Sequence, residues 1–341
     1  MNPLKRSDYY LSSIFPTRLL AGITQPPTLL PYHHLVSDQQ VLHLKHLYTF
    51  KNTRQFTEDL DYLLKYFKPI SGQDLLHSLQ KDGKYPKRSF LISFDDGFRE
   101  LYDVVAPILI RKGIPALFFI NPAFVDNRIL FYRCKISLVI EELERRNSDK
   151  PLLRRTAELL GSSDTSILNL KTKLKAITNV NQHLLDTIGE DLGLSFETYL
   201  KTVRPFLSLS QLSELADKGF TIGAHSWDHP YYKSLPESEQ ISQTMESCRF
   251  VKEQFHPDLL SFSFPHSDRE VHYQVLNRIL AAEPKIDLLF GIQNQKSEPG
   301  RKILHRFNAE RPEMPMLYQL NGLLLYMWMC RITGLNKVKR N

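Results

Sequence analysis

The stretch from Phe90 to Ile120 constrains this chain most. Phe90-Leu91-Ile92-Ser93-Phe94 is an apolar, strand-like run that ends at Asp95-Asp96-Gly97. From about Arg99 to Lys112, Leu101, Val104, Val105 and Ile108 recur at helical spacing on one face, and Gly113 stops the helix. Pro107 lies inside it and predicts a kink. Ala116-Leu117-Phe118-Phe119-Ile120 is apolar again. Strand, helix, strand is a βαβ unit, and its two strands must be parallel because the helix returns the chain to its starting end.

The same alternation recurs on either side. Residues 28–36 read as a short buried strand, Phe56–Phe67 as a helix, and Ser71 as the cap of a helix through Leu79. Later come a helix begun by Ser208 or Ser210, a strand Phe220–Ala224, a helix from about Glu237 to Phe255, a strand Ser261–Phe264, a helix Val271–Ala282, and strands Asp287–Ile292 and Ile303–Phe307. Repeated β-α units predict a parallel sheet, open or closed into a barrel. Between about 125 and 205 the rhythm breaks: Ile136–Leu143 and Ile167–Ile177 look helical and no strand stands out. We read one catalytic-type domain over 1–315 with a helical insertion at about 125–205, then a C-terminal apolar and basic segment at 316–341.

The net charge of +7 suits an acidic surface or substrate without specifying one. No basic stripe interleaved with aromatics is present, so nucleic acid is not an expected partner. The three cysteines, Cys134, Cys248 and Cys330, are widely spaced and form no ligand motif. They read as reduced, buried thiols, which favours a cytoplasmic setting. No secretory signal is read at the N-terminus. Leu323–Cys330 is an apolar run followed by Lys337, Lys339 and Arg340. It reads as a helix packed on the domain, or alternatively as a peripheral contact with an anionic membrane.

Three polar clusters fall at strand ends, where parallel α/β folds place function. Asp95-Asp96-Gly97 sets two carboxylates side by side. Neighbours on a strand face opposite ways, so the pair shares a site only if the strand stops, which Gly97 permits; a plain Asp-Gly turn is the other reading. His225-Ser226-Trp227-Asp228-His229 spaces two imidazoles four apart. They can hold one metal only if the chain coils between them, since a continued strand would separate them by ~13 Å. Ser226 occupies the Glu position of the zinc-protease pattern, so that chemistry is not indicated. Phe262-Ser263-Phe264-Pro265-His266-Ser267-Asp268 is strand running into loop.

Taken together and in order, these segments resemble the NodB-like polysaccharide deacetylases (carbohydrate esterase family 4). Phe94-Asp95-Asp96-Gly97 and His225-Ser226-Trp227-Asp228-His229 resemble the family's first two motifs, Phe262–Ser267 its third, and Tyr32-His33 its early strand; the resemblance covers roughly residues 28–125 and 205–307. It implies a distorted (β/α) barrel with one divalent metal, often zinc. Asp96, His225 and His229 would be the ligands, Asp95 the general base, and the backbone N–H of His266 an oxyanion donor. The family's proton donor is often a His in a late Leu-x-His segment, which would make it His305; His266 is a second candidate. Leu304-His305-Arg306 fits equally the relatives that carry Arg in place of that His. Leu260 stands where many members have an Arg orienting the base, and Ser267 where Gly is usual.

The expected activity is hydrolysis of the N-acetyl group of an N-acetylhexosamine glycan or precursor, lipid-linked if the C-terminal segment touches a membrane. An amidase or esterase for another acyl group, and a glycan- or metal-binding protein that has lost catalysis, are the alternatives. A glycosidase is disfavoured because its carboxylates stand at least ~5 Å apart, usually on separate elements.

Overall fold

The computed structural model describes residues 9, 10, 12, 14–298, 303–338 and 340. Eight short strands form one sheet: β1 (Pro31–His33), β2 (Ile92–Phe94), β3 (Ala116–Ile120), β4 (Thr221–Ala224), β5 (Ser261–Ser263), β6 (Leu288–Gly291), β7 (Ile303–His305) and β8 (Phe307–Asn308). All pair in parallel, in the order β8-β1-β2-β3-β4-β5-β6-β7. Only Arg306 separates β7 from β8, so the two ends of the sheet are one extended segment. The Arg306 N–H donates to Gly291 O at 2.8 Å on the β6 side, and the Phe307 N–H to Leu30 O at 3.0 Å on the β1 side. The sheet thereby closes on itself as a distorted (β/α) barrel. Residues on both faces of β1–β5 are buried, as expected for parallel strands covered by helices.

Local sequence explains the helices around it. Thr53–Leu64 starts where Asn52 and Gln55 cap each other's backbone N–H groups, and it buries Phe56, Leu60 and Leu63. Ser71 and Asp74 do the same for Gly72–Asp82. The kink expected at Pro107 is a widened turn over Leu101–Val105, followed by regular helix Ala106–Lys112. Pro107 has no N–H to give to the carbonyl one turn back, so the turn before it loosens.

Five helices (Tyr132–Arg145, Lys150–Leu159, Ile167–Lys175, His183–Asp191 and Phe196–Val203) lie between β3 and β4 in the chain. They pack around an apolar cluster with Ile140, Leu170 and Leu185, which also takes in Leu35, Leu44 and Phe98 from barrel loops. The C-terminal helix Met316–Ile332 lies against Thr17–Thr24 and Thr53–Leu64 and buries Leu320, Leu323 and Leu324. Thr17 Oγ1 donates to Asn321 Oδ1 at 2.6 Å across that contact. Trp328, Met329 and Ile332 remain exposed. Among the described residues no helix is long and apolar enough to cross a membrane. Lys339 of the basic tail and the first eight residues lie outside the described residues. Arg340 is drawn inward onto Asp268 and Glu298. The three cysteines are buried and free.

Candidate active site

The site forms at the C-terminal ends of β1, β2, β4 and β5. β2 stays paired through Asp95, whose N–H donates to His33 O at 3.0 Å. The chain then turns sharply, with Asp96 at φ 72° and Gly97 at φ 66°, both left-handed. A non-glycine residue held there is strained, and strain of this kind gathers at functional sites. Here it swings Asp96 to the same side as Asp95. A Cβ on Gly97 would also stand 3.1 Å from the Ile120 side chain.

The histidine motif coils as metal binding would require. His225 ends β4, its N–H donating to Ile120 O at 2.9 Å. Ser226 (φ 66°) and His229 (φ 62°) then adopt left-handed backbone. Asn121, just past β3, donates its amide to the carbonyls of His225 and Ser226, and the His229 N–H donates to Ser226 Oγ at 3.1 Å. The two imidazole centroids end 4.9 Å apart. Nothing in the motif names Asn121; its signal is a lone amide at the end of an apolar strand.

Asp96 Oδ1 lies 3.2 Å from His229 Nε2 and 3.5 Å from His225 Nε2, and each of the three residues is buried. His225 Nδ1–H donates to Ser263 O at 2.8 Å, which leaves the Nε2 lone pair facing Asp96. A backbone carbonyl in that role is how proteins set the tautomer and angle of a ligating histidine. Asp96 Oδ1 is buried without a hydrogen-bond donor. One carboxylate and two imidazoles around an orphaned buried oxygen is a donor set that fits a divalent cation, zinc included. Burial pushes the Asp96 carboxyl up, but His229, His34 and His225 outweigh it and hold the group well below the usual carboxylate range. Burial lowers His225 to about 4, with Asp95 and Asp96 opposing it and His229 adding to it.

Asp95 is held by Arg306. The guanidinium makes two parallel bonds to the carboxylate, each 2.7 Å, and donates also to Ser93 Oγ at 3.0 Å and Ser263 Oγ at 2.5 Å. Its carbon stands 4.7 Å from the Tyr32 ring centroid and 5.3 Å from that of Phe119. Burial pushes the Asp95 carboxyl up, and Arg306 and His225 more than reverse this, leaving it lowered. Arg306 thus supplies from the barrel seam the orienting cation that Leu260 cannot.

A cavity of about 240 Å³ opens over these groups. Asp95, Asp96, His225, His229 and His266 line it together with His34, Tyr48, Arg133 and Tyr231. Phe131 and Arg133 come from the start of helix Tyr132–Arg145, so the helical segment walls the site; the Phe131 ring is 4.7 Å from that of His229. His266, left-handed at φ 55°, stacks on Tyr231 with centroids 3.7 Å apart and 6° between planes. Burial, with His229 and Arg133, holds its imidazole far below the usual histidine range. It is therefore neutral and a poor acid. Among the described residues its backbone N–H has no protein acceptor.

The structure brings together Asp95, Asp96, His225, His229 and His266 and leaves His305 apart. His305 precedes Arg306 on the seam strand and faces the other way. Its Nε2 lies 3.0 Å from Glu298 Oε2 and its Nδ1 3.7 Å from Asp268 Oδ2, within a buried group completed by Arg340. It does not line the cavity.

The sequence matches the polysaccharide deacetylase family over residues 162–280, a stretch holding the histidine motif and the third cluster. No curated protein matches the chain in sequence. In fold it is similar to a Streptococcus pyogenes deacetylase, PplD, in complex with acetate (TM-score 0.53, 13% identity, 87% of this chain and 98% of that one). It is also similar to IcaB from Ammonifex degensii (0.53, 16%, 87% and 97%) and to a de-N-acetylase from Aggregatibacter actinomycetemcomitans (0.51, 13%, 86% and 99%). At these identities the likeness is one of fold. The family model over residues 162–280 and the likeness in fold both agree with the resemblance drawn from the motifs.

Proposed function

We propose that this protein hydrolyses the N-acetyl group of an N-acetylhexosamine in a glycan or glycan precursor. One observation carries the proposal: the buried Asp96, His225 and His229 donors converge beside a second carboxylate, Asp95, clamped by Arg306. When bound to that set, a divalent metal, which we propose to be zinc, supplies Lewis acidity toward the acetyl carbonyl and lowers the pKa of a water. Asp95, ionised and fixed in angle, takes the proton of the attacking water. The backbone N–H of His266, without a protein acceptor among the described residues, donates to the oxygen that gains charge. A protein that only bound metal or glycan would have no use for a second, oriented carboxylate at the ligand set.

Two finer points belong to the same proposal. Arg133 faces the cavity and has no carboxylate partner among the described residues, which suits a substrate with an anionic group such as a lipid-linked sugar phosphate. Leu19, Ile23, Trp328 and Ile332 are exposed, with Arg18, Arg331 and Lys337 exposed nearby in sequence, which suits a peripheral contact with an anionic membrane. The three free, buried thiols suit a cytoplasmic compartment.

The test is metal content and acetate release from N-acetylglucosamine oligomers and lipid-linked precursors, for wild type, His225→Ala and Asp95→Asn. The expected outcome is metal bound by wild type and Asp95→Asn but not by His225→Ala, with acetate released by wild type alone. A wild type that binds no metal would sink the proposal.

A further inference from the structure

Amide hydrolysis needs a proton for the departing amine, because an unprotonated amine is a very poor leaving group. Neither histidine expected in that role is suited to it: His305 is turned away from the cavity, and the His266 ring lies flat against that of Tyr231, 3.7 Å between centroids. The cavity holds one further imidazole, His34.

Its placement follows from the register of the barrel. Tyr32 pairs with Ser93 and His33 with Phe94, so His34 stands beside Asp95 at the next position of the adjacent strand ends. Neighbouring strands run about 4.8 Å apart. Alternation along the strand sends His33 into the core, its ring 5.3 Å from Phe56 and 5.6 Å from Phe94, and His34 toward the cavity. Glu310, just past β8, then fixes the ring. Its Oε2 accepts from His34 Nδ1–H at 2.7 Å, and its Oε1 accepts the backbone N–H groups of His34 at 3.1 Å and Leu35 at 3.0 Å. With Nδ1 engaged, Nε2 is the ring nitrogen left to face a substrate; the side chain is 23% exposed while that of Glu310 is 2%.

We propose that His34, oriented by Glu310, is the catalytic residue that protonates the leaving amine; this rests on the deacetylase reading above. The step balances without a co-reactant. A water oxygen bonds to the acetyl carbon and its proton passes to Asp95. The carbon–nitrogen bond then breaks, its electron pair stays on nitrogen, and the His34 Nε2 proton moves to that nitrogen. Acetic acid and a free amine leave, the acid giving its hydroxyl proton to solvent as it becomes acetate, and the Asp95 proton returns the histidine to its charged form through solvent.

The charges around the ring are consistent with a resident imidazolium. The groups facing His34 are Glu310, Asp95 with its Arg306, Asp96, and the Tyr32 and Tyr48 rings at 5.8 and 5.0 Å. Burial pushes the imidazole down, but Glu310, by charge and hydrogen bond, with Asp96 and Asp95 raises it to about 9.

A general acid is needed for a poor leaving group and not for a good one, so the test compares two substrates on the metal-loaded protein. One is an N-acetylglucosamine oligomer that wild type deacetylates, the other 4-nitrophenyl acetate, whose phenolate leaves unprotonated. His34→Gln should lower kcat on the amide by roughly 10²–10⁴-fold and leave ester turnover and metal content intact, whereas Asp95→Asn loses both activities. Glu310→Gln removes the charge that raises His34, so the alkaline limb of kcat/KM on the amide should move to lower pH. Equal losses on amide and ester in His34→Gln, an unchanged amide rate, or an unmoved alkaline limb in Glu310→Gln would overturn the inference. Metal-loaded wild type that releases acetate from no amide would overturn the deacetylase reading and this inference with it.

Discussion

Replacing Arg306 with Met keeps much of the apolar stem between Tyr32 and Phe119 and removes the charge that faces Asp95. Both partners are buried, Arg306 at 1% and Asp95 at 3% exposed, so the carboxylate cannot recover its lost partner from water. Breaking such a pair from one side typically costs ~3–5 kcal/mol. The charge part has a ceiling, because a stranded carboxylate can bind a proton. At pH 7 that escape costs about 4 kcal/mol, at ~1.36 kcal/mol for each unit above an unfolded pKa near 3.9, and at pH 5 about 1.5 kcal/mol. The sign follows from linkage. Asp95 is depressed in the folded wild type, so the pair's contribution is full above the unfolded value and is lost as pH falls through the folded one. The variant should therefore be far weaker than wild type at pH 7 and much closer to it at pH 5. With about 2.1 cal/mol/K of unfolding entropy per residue over 341 residues, 4 kcal/mol lowers Tm by about 6 °C. The assay is thermal unfolding at both pH values for wild type, Arg306→Met, Asp95→Asn and the double variant. The double variant should recover most of the loss. An equal loss at pH 7 and pH 5, with no recovery in the double variant, would show that Arg306 acts by packing and refute the charge argument.

The barrel and its seams make further predictions. Gly223→Ala places a Cβ 2.6 Å from two Phe119 ring carbons and 2.7 Å from Ser261 Oγ, two positions before His225; it should cost roughly 1–3 kcal/mol in denaturant unfolding. Ser71→Ala removes a reciprocal cap far from the cavity and should cost about 1 kcal/mol while leaving metal content unchanged. Arg340→Ala takes the guanidinium from Asp268 and Glu298, both held low in the folded protein, and leaves them His305 with the Gln293 amide and Ile292 N–H on Asp268. Its destabilisation should be large at neutral pH and shrink as pH falls below the ordinary carboxylate range, as followed by urea unfolding at pH 7 and pH 4.

Much of this molecule was legible in local patterns. Apolar runs bounded by Gly, Asp or His marked the strands, and the β-α alternation marked the parallel sheet. The limits of helix Glu237–Phe255 follow from Pro236 before it and the loss of periodicity after it. Asp95, Asp96, His225 and His229 were legible because each motif sits where a strand must end, and the left-handed residues Asp96, Ser226 and His229 are how those ends are made. The residues that escaped act across the barrel. Asn121 coils the histidine loop from a neighbouring strand, Arg133 arrives on helix Tyr132–Arg145, and Glu310 reaches His34 across 276 positions of sequence. Long-range contacts of this kind leave no period in the sequence.

The seam strand shows most directly how closure decides chemistry. His305 and Arg306 are adjacent on an extended segment, so only one of them can face Asp95. The choice is made by register. β7 pairs Gly291 with His305, and β8 pairs Pro31 with Phe307, which leaves Arg306 as the residue where the strand passes from one neighbour to the other. At that point its side chain enters beside β1, β2 and β5, where Tyr32, Ser93, Asp95 and Ser263 receive it. His305 is left to the opposite side with Asp268 and Glu298. A one-residue shift of this segment would put His305 where Arg306 now stands, setting an imidazole against Asp95 and turning the guanidinium away from it. The fixed cation beside Asp95 is thus a consequence of how the barrel closes, and it leaves proton donation to a different strand.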